Sequence, residues 1–161
     1  GDAVDVVFLT DDLGTQESGL ISPDVYREMI YPYASELMAR LKGAGKKMAM
    51  HSCGAVREFI PFLIEMGVDA LNPVQVSARG MNPAELAREF GRDISFWGGG
   101  CDTQHALNAQ DPEVVKRDVE RRLDEFGADA SVVFTQVHNV QYDVPPRNIL
   151  AMHEAFAART R

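Results

Sequence analysis

The fold is decided by residues 48–74, MAMHSCGAVREFIPFLIEMGVDALNPV, which contain one complete strand–helix–strand unit. The apolar run at residues 48–50 predicts a short buried strand, and a helical pattern follows Gly54 until Gly67 ends it. Residues 70–74 predict the next strand. Two strands joined by a helix in this way pair in parallel, with a right-handed crossover.

The same alternation continues on both sides of this unit. Further strands are predicted over residues 4–9, 94–97 and 131–137, and further helices over about 22–42, 82–90, 111–126 and 146–158. Five strand–helix units define an α/β protein with a parallel sheet. Two architectures fit: an open doubly wound sheet, and part of a (β/α)₈ barrel, which needs about 250 residues when complete. The pattern alone slightly favours the open sheet, because five strands are normal for a chain of this length.

Composition bounds the function of the chain. Its 161 residues predict a single domain over residues 1–161, with 45% hydrophobic residues to form a core. The net charge of −8 and the absence of a basic stripe argue against a nucleic-acid partner. No apolar stretch approaches the roughly 18 residues of a membrane span, and no signal peptide is visible. Two cysteines make no disulfide framework, so a cytoplasmic location with both thiols reduced is expected.

Three potential metal ligands follow predicted strands. His51 and Cys53 end the second strand, and Cys101 follows the fourth behind three glycines. The carboxyl ends of parallel strands meet at one edge of a sheet. Imidazole and thiolate are ligands that zinc prefers, and three protein ligands leave a fourth position for a reactant. The sequence therefore predicts a catalytic zinc site, with Glu17 as a candidate fourth ligand; the alternative is that both cysteines pack as small hydrophobic residues.

Other polar side chains follow the strands at the same edge. Asp11 and Asp12 are adjacent, so one of the two is expected to point into the site, as an acid, a base or a partner of a ligating histidine. His138 follows the last strand and suits acid–base work. The candidates for substrate binding are Gln16, Asn72, Gln75, Asp102 and Asn139. Each has an ordinary structural alternative, and His105 and His153 are interpreted as structural or surface residues.

Several motifs together resemble the uroporphyrinogen decarboxylase superfamily, and within it the branch of zinc-dependent methylcobamide:coenzyme M methyltransferases. The motifs are DDLGTQ (11–16), ISP (21–23), YPY (31–33), HSCG (51–54), GVDALNPVQ (67–75), WGGGCDTQ (97–104) and the segment VHNVQYDVPPRNI (137–149). The resemblance covers nearly the whole chain. It implies the C-terminal part, about five βα units, of a TIM (β/α)₈ barrel, in place of the open sheet.

The resemblance also implies a chemistry. His51, Cys53 and Cys101 match the zinc motif of the methyltransferase branch, where the metal holds a thiol substrate as thiolate and the thiolate attacks a methyl group on a corrinoid. The corrinoid would be carried by a partner protein, and a methylated small molecule is another possible donor. The alternative is metal-free decarboxylation of a tetrapyrrole, whose basic residues lie in an N-terminal region that this chain lacks. A binding module without catalysis is disfavoured, because the corrinoid-binding pattern Asp-x-His-x-x-Gly is missing.

A sheet of five strands from an eight-stranded barrel has two unpaired edges, which favour association. We expect a homodimer, or a separate N-terminal half, to cover them. The isolated piece is expected to have little activity of its own.

Overall fold

The structure is a computed structural model that describes residues 3–128 and 130–160. Its five strands are β1 (Val6–Thr10), β2 (Lys47–His51), β3 (Ala70–Asn72), β4 (Ser95–Trp97) and β5 (Val132–Val133). The domain predicted over residues 1–161 includes residues 1, 2, 129 and 161, which lie outside the described residues.

Helices alternate with these strands. They are α1 (Pro23–Met29), α2 (Tyr31–Gly43), α3 (Ile60–Glu65) with a 3₁₀ turn at Arg57–Phe59 before it, α4 (Pro83–Phe90), α5 (Pro112–Phe126) and α6 (Pro146–Arg159). The side chains of Ser22, Asn82 and Asp111 each accept a hydrogen bond from a backbone N–H in the first turn of α1, α4 and α5. Each of these helices then begins with proline, so the three helix starts predicted from the sequence are confirmed.

Two predicted elements differ from the structure. The helix expected over residues 22–42 is broken at Ile30 into α1 and α2, because Pro32 has no N–H to donate to the preceding turn. The strand expected over residues 131–137 shortens to Val132–Val133. Opposite it, Gly98 and Gly99 adopt φ values of 98° and 80°, which bend the backbone out of the extended conformation and end the regular pairing.

All five strands are parallel, and each pairs with the next one along the chain, in the order β1-β2-β3-β4-β5. A doubly wound sheet reverses its strand order where the winding changes direction. A sequential order without reversal is that of a (β/α)₈ barrel. The structure therefore confirms the α/β class with five βα units, and it favours part of a barrel over the open doubly wound sheet.

The main core lies between one face of the sheet and the helices. Strand side chains such as Met48, Leu71 and Phe96 are fully buried there with residues of the 3₁₀ turn and α3. A second buried cluster joins α5 to α6. On the opposite face Val6, Phe8 and Val133 are each more than 40% exposed. That second face corresponds to the interior of a closed barrel.

Phe8 and Trp97 meet on this exposed face, edge to face, with 5.4 Å between the ring centroids. Within the described part of the chain, no helix combines the length and the apolar composition that crossing a membrane requires.

Asp69 holds the amino end of the sheet together. Its carboxylate accepts hydrogen bonds from the backbone N–H of Met48 at 2.8 Å and from the ammonium groups of Lys42 and Lys47 at 2.9 and 3.1 Å. Burial alone would raise the pKa of Asp69, but these three donors outweigh it and hold the pKa below its usual range. The ionised carboxylate is therefore the form that stabilises the fold.

We expect Asp69→Asn to lower the free energy of unfolding at pH 7 by about 1–3 kcal/mol, since it removes charge-assisted hydrogen bonds. The pKa is depressed in the folded state, so this stabilisation is present above the unfolded-state pKa of about 4 and is lost as the pH falls through the folded-state value. Urea unfolding over a pH series should show the difference between the two proteins shrinking below about pH 4. Glu36→Gln, which removes an exposed pair with Arg40, is the control and should change little.

Candidate metal centre

His51 ends β2 at the carboxyl edge of the sheet. Its Nδ1 lies 2.8 Å from Oδ1 of Asn72, and Nδ2 of Asn72 donates to the backbone carbonyl of Trp97 at 3.2 Å. Because a carbonyl can only accept, that second bond makes Oδ1 the acceptor that faces the ring. The proton of the neutral imidazole therefore sits on Nδ1, and Nε2 presents a free lone pair.

Cys53 and Asp12 lie on the Nε2 side of this ring. The Sγ atom of Cys53 is 3.4 Å from Nε2, and Oδ1 of Asp12 is 3.8 Å from it. The same carboxylate oxygen accepts the backbone N–H of Cys53 at 3.1 Å. One potential ligand atom from each residue lies within 4.8 Å of the other two. Asp12 rather than Asp11 enters this group, so one of the two adjacent carboxylates faces it.

The spacing of this group fits a metal ion. Tetrahedral zinc, with bonds of about 2.0–2.3 Å, separates its ligand atoms by about 3.3–3.6 Å. The separations at Nε2, 3.4 and 3.8 Å, are close to that. Burial, and then the charge of Asp12, raise the pKa of Cys53. A divalent cation would relieve the repulsion between carboxylate and thiolate, so nitrogen, sulfur and oxygen donors and their charges suit zinc.

Cys101 is not a member of this group, and its place among the metal ligands stays a prediction. It is fully buried in the cluster that joins α5 to α6. Burial, and then the neighbouring carboxylate of Asp118, raise the pKa of its thiol. The reason is local, because the N–H of Asp102 donates to Asp118 on α5 at 2.7 Å and ties this segment to the helix layer. In the described structure the third member of the group beside His51 and Cys53 is Asp12.

A small cavity adjoins His51. Its volume is about 220 Å³, and its lining consists of His51, Asn72 and residues 135–139. The cavity thus brings the predicted residues His138 and Asn139 to the same edge as the candidate metal ligands. Both side chains are exposed, so they are available to a small polar molecule.

Asp11 has a different environment. Its backbone N–H donates to the carbonyl of His51 at 3.0 Å and continues the pairing of β1 with β2. Its carboxylate acts on Tyr26, whose pKa is raised to about 12 by burial and then by the charge of Asp11. Asp11 is thus not brought to the metal group, and a catalytic role for it stays a prediction.

Glutamine side chains link the loops at this edge. Oε1 of Gln75 accepts the backbone N–H of Gly54 at 2.8 Å, and the Gln75 amide donates to Gln16. Gln16 in turn donates to Gln104 at 3.0 Å. Gln16 and Gln75, predicted to bind substrate, therefore use their amides to hold the loops after β1, β2, β3 and β4 together. Gln104 belongs to the motif at residues 97–104, but nothing in the sequence indicated that it contacts Gln16.

Asp102 makes contacts within its own loop, and its predicted role in substrate binding stays a prediction. It is 5% exposed, and its carboxylate accepts the N–H of Gln104 at 2.8 Å and pairs with Nδ1 of His105 at 3.0 Å. Both contacts close the turn that follows β4. His105 thus takes the structural role predicted for it. Glu17 is exposed and is not a member of the group of candidate ligands.

Gly54 fixes the turn that carries Cys53. Its φ is 88°, and a Cβ atom there would lie 2.5 Å from backbone atoms of Gly14 and Thr15. We expect Gly54→Ala to lower the free energy of unfolding by about 1–3 kcal/mol, since positive φ and a backbone clash both oppose the side chain.

Gly43→Ala is the matched control, because its Cβ would meet nothing within 4 Å and its φ is not positive. That variant should keep or slightly raise stability. Urea unfolding of the two proteins checks the prediction, and equal midpoints would contradict it.

Comparison with known proteins agrees with this architecture. The uroporphyrinogen decarboxylase (URO-D) family model matches residues 2–159, so the chain belongs to that family. Among solved structures, a methyltransferase from Methanosarcina mazei is similar, with a TM-score of 0.74 and 16% sequence identity. The match covers 99% of this chain and 43% of that one, so the chain spans less than half of the methyltransferase, and at this identity the likeness shows the fold alone. A search of curated proteins finds no match.

Proposed function

We propose that this domain is part of a zinc-dependent methyltransferase that transfers a methyl group to a thiol. The observation that carries the proposal is the convergence of Asp12, His51 and Cys53, with one ligand atom of each within 4.8 Å of the others. This donor set lies at the edge of the sheet where barrel enzymes hold their active sites. The structural neighbour is named as a methyltransferase, and the proposal takes its class of reaction from that protein.

Each of the three residues has a distinct task. His51 offers Nε2, because its Nδ1 is bonded to Asn72. Cys53 offers its Sγ atom. The backbone N–H of Cys53 donates to the carboxylate of Asp12, which holds the residue in place. The Asp12 side chain is 63% exposed, so a substrate can approach the fourth position from solvent. When bound there, zinc lowers the pKa of a thiol substrate and keeps it as thiolate.

The transfer itself is a displacement at the methyl carbon. The substrate sulfur gives an electron pair to the carbon, and the bond from carbon to the donor breaks, leaving its pair on the donor. The donor is a corrinoid on a partner protein or a methylated small molecule. The thiol proton leaves before the attack, and His138 in the adjoining cavity is the candidate acceptor.

The cavity beside His51 has room for a small acceptor. Its volume of about 220 Å³ lies below the roughly 300–1,000 Å³ of pockets that enclose a drug-sized ligand. A small thiol fits it, whereas a corrinoid has to approach from outside the edge.

Decarboxylation of a tetrapyrrole is the second candidate, because the chain belongs to the uroporphyrinogen decarboxylase family. The charges at the edge argue against it. Asp11 and Asp12 are both exposed there, and the whole chain has a net charge of −8. Such an edge repels the carboxylates of a polyacidic substrate.

Metal analysis tests the proposal. Protein purified without chelator should contain about one zinc ion per chain, and Cys53→Ser and Asp12→Asn should each lower that content, since three protein ligands hold the ion. Cys101→Ser is the matched control and should keep its zinc, because the Cys101 thiol is buried beside Asp118. Circular dichroism confirms that each variant is folded.

Three results would contradict this assignment in different ways. Loss of zinc in Cys101→Ser with retention in Asp12→Asn would support His51, Cys53 and Cys101 as the ligands instead. Wild-type protein without zinc would remove the metal site. Porphyrinogen turnover that survives chelation would favour the decarboxylase.

A further inference from the structure

We propose that Asn72 is a positioning residue for the metal site: it fixes the tautomer and orientation of His51 so that Nε2 faces Asp12 and Cys53. This inference rests on the proposed function, because it assigns Asn72 a role toward the same metal. It also changes the role of Asn72, which the sequence suggested as a substrate-binding residue.

Strand pairing puts the two side chains together. His51 and Asn72 are the last registered pair between the parallel strands β2 and β3. Paired residues on neighbouring strands project from the same face of the sheet, so their side chains are adjacent. The 2.8 Å contact between Nδ1 and Oδ1 follows directly from this register.

A second bond fixes the direction of the amide. Nδ2 of Asn72 donates to the carbonyl of Trp97 at the end of β4, so Oδ1 must face the histidine. The side chain thereby spans three strands. Both ends of the amide are thereby held by protein partners, the oxygen by the imidazole and the nitrogen by the carbonyl of Trp97.

The orientation matters for the metal. A neutral imidazole binds a metal through the nitrogen that carries no proton. With the proton held on Nδ1, the free lone pair lies on Nε2, the atom that is 3.4 Å from Cys53 and 3.8 Å from Asp12. Without Asn72 the proton could move to Nε2, and the ring could turn away from the other two ligands. Partners of this kind change metal affinity by about 10–100-fold when they are removed.

The first experiment needs no metal. ¹⁵N NMR of the metal-free protein, at a pH where imidazoles are neutral, reports which ring nitrogen of His51 carries the proton. We expect Nδ1–H in the wild type and in Asn72→Asp, which keeps an acceptor, and a shift toward Nε2–H in Asn72→Leu. A wild-type ring with its proton on Nε2 would overturn the proposal.

The second experiment measures zinc affinity by competition with a chromophoric chelator. Asn72→Leu should bind zinc about 10–100-fold more weakly than the wild type. Asn72→Asp should restore affinity to within a few-fold of the wild type, because a carboxylate also accepts from Nδ1–H. Asn108→Leu is the matched control, since the Asn108 amide bonds Asp143 on a surface loop instead.

The outcomes separate the two proposals. A wild type that binds no zinc defeats the proposed function, and the NMR result still decides whether Asn72 sets the tautomer. Normal zinc binding in Asn72→Leu overturns the positioning role and leaves the metal site in place. If Asn72→Leu does not fold, two other measurements still test the positioning role of Asn72. A wild-type His51 ring with its proton on Nε2 contradicts that role. Strongly weakened zinc binding in Asn72→Asp contradicts it as well.

Discussion

The register between β2 and β3 is the constraint on which the site depends. Because the pairing ends at His51 and Asn72, an imidazole and an amide meet on one face of the sheet. A slip of one residue in either strand would turn the side chain of that strand to the opposite face, into the helix-covered core, and would separate the pair. The buried side chains Met50 and Leu71, next to this pair, hold the register, since they cannot be exposed without losing apolar burial. The hydrophobic core therefore sets the geometry of the polar edge.

Much of the architecture could be predicted from local sequence. Ser22, Asn82 and Asp111 marked helix starts because a side-chain cap followed by proline acts within a single turn. The break at Ile30 was missed although Pro32 lies in the sequence, because a proline in the first turn of a new helix and a proline inside a long helix give the same local pattern. Sequential strand order also could not be deduced from alternation, since open sheets and barrels share it.

The position of the candidate site could be predicted from the sequence, whereas the presence of Asp12 beside His51 and Cys53 could not. Strand ends place His51, Cys53, Asp12 and His138 at one edge, and that follows from parallel pairing alone. Contacts between residues distant in sequence decide which of the two carboxylates joins His51 and Cys53. Such contacts also decide the surroundings of Cys101. Asp118 lies 16 residues beyond Asp102 and still fixes the segment that carries the thiol. Contacts between residues distant in sequence cannot be predicted from the spacing of motifs. The hydrogen bonds of Gln16 and Gln75 at this edge were therefore seen only in the structure.

Trp97 is the sole tryptophan in the sequence. Its carbonyl accepts from Asn72, and its indole ring packs edge-on to Phe8 on the exposed face of the sheet. The tryptophan fluorescence of this chain therefore comes from a single indole, and the backbone of that residue is bonded to Asn72, which contacts His51. The molecule thus carries an intrinsic optical reporter, and its fluorescence should follow events at this edge of the sheet without any attached label.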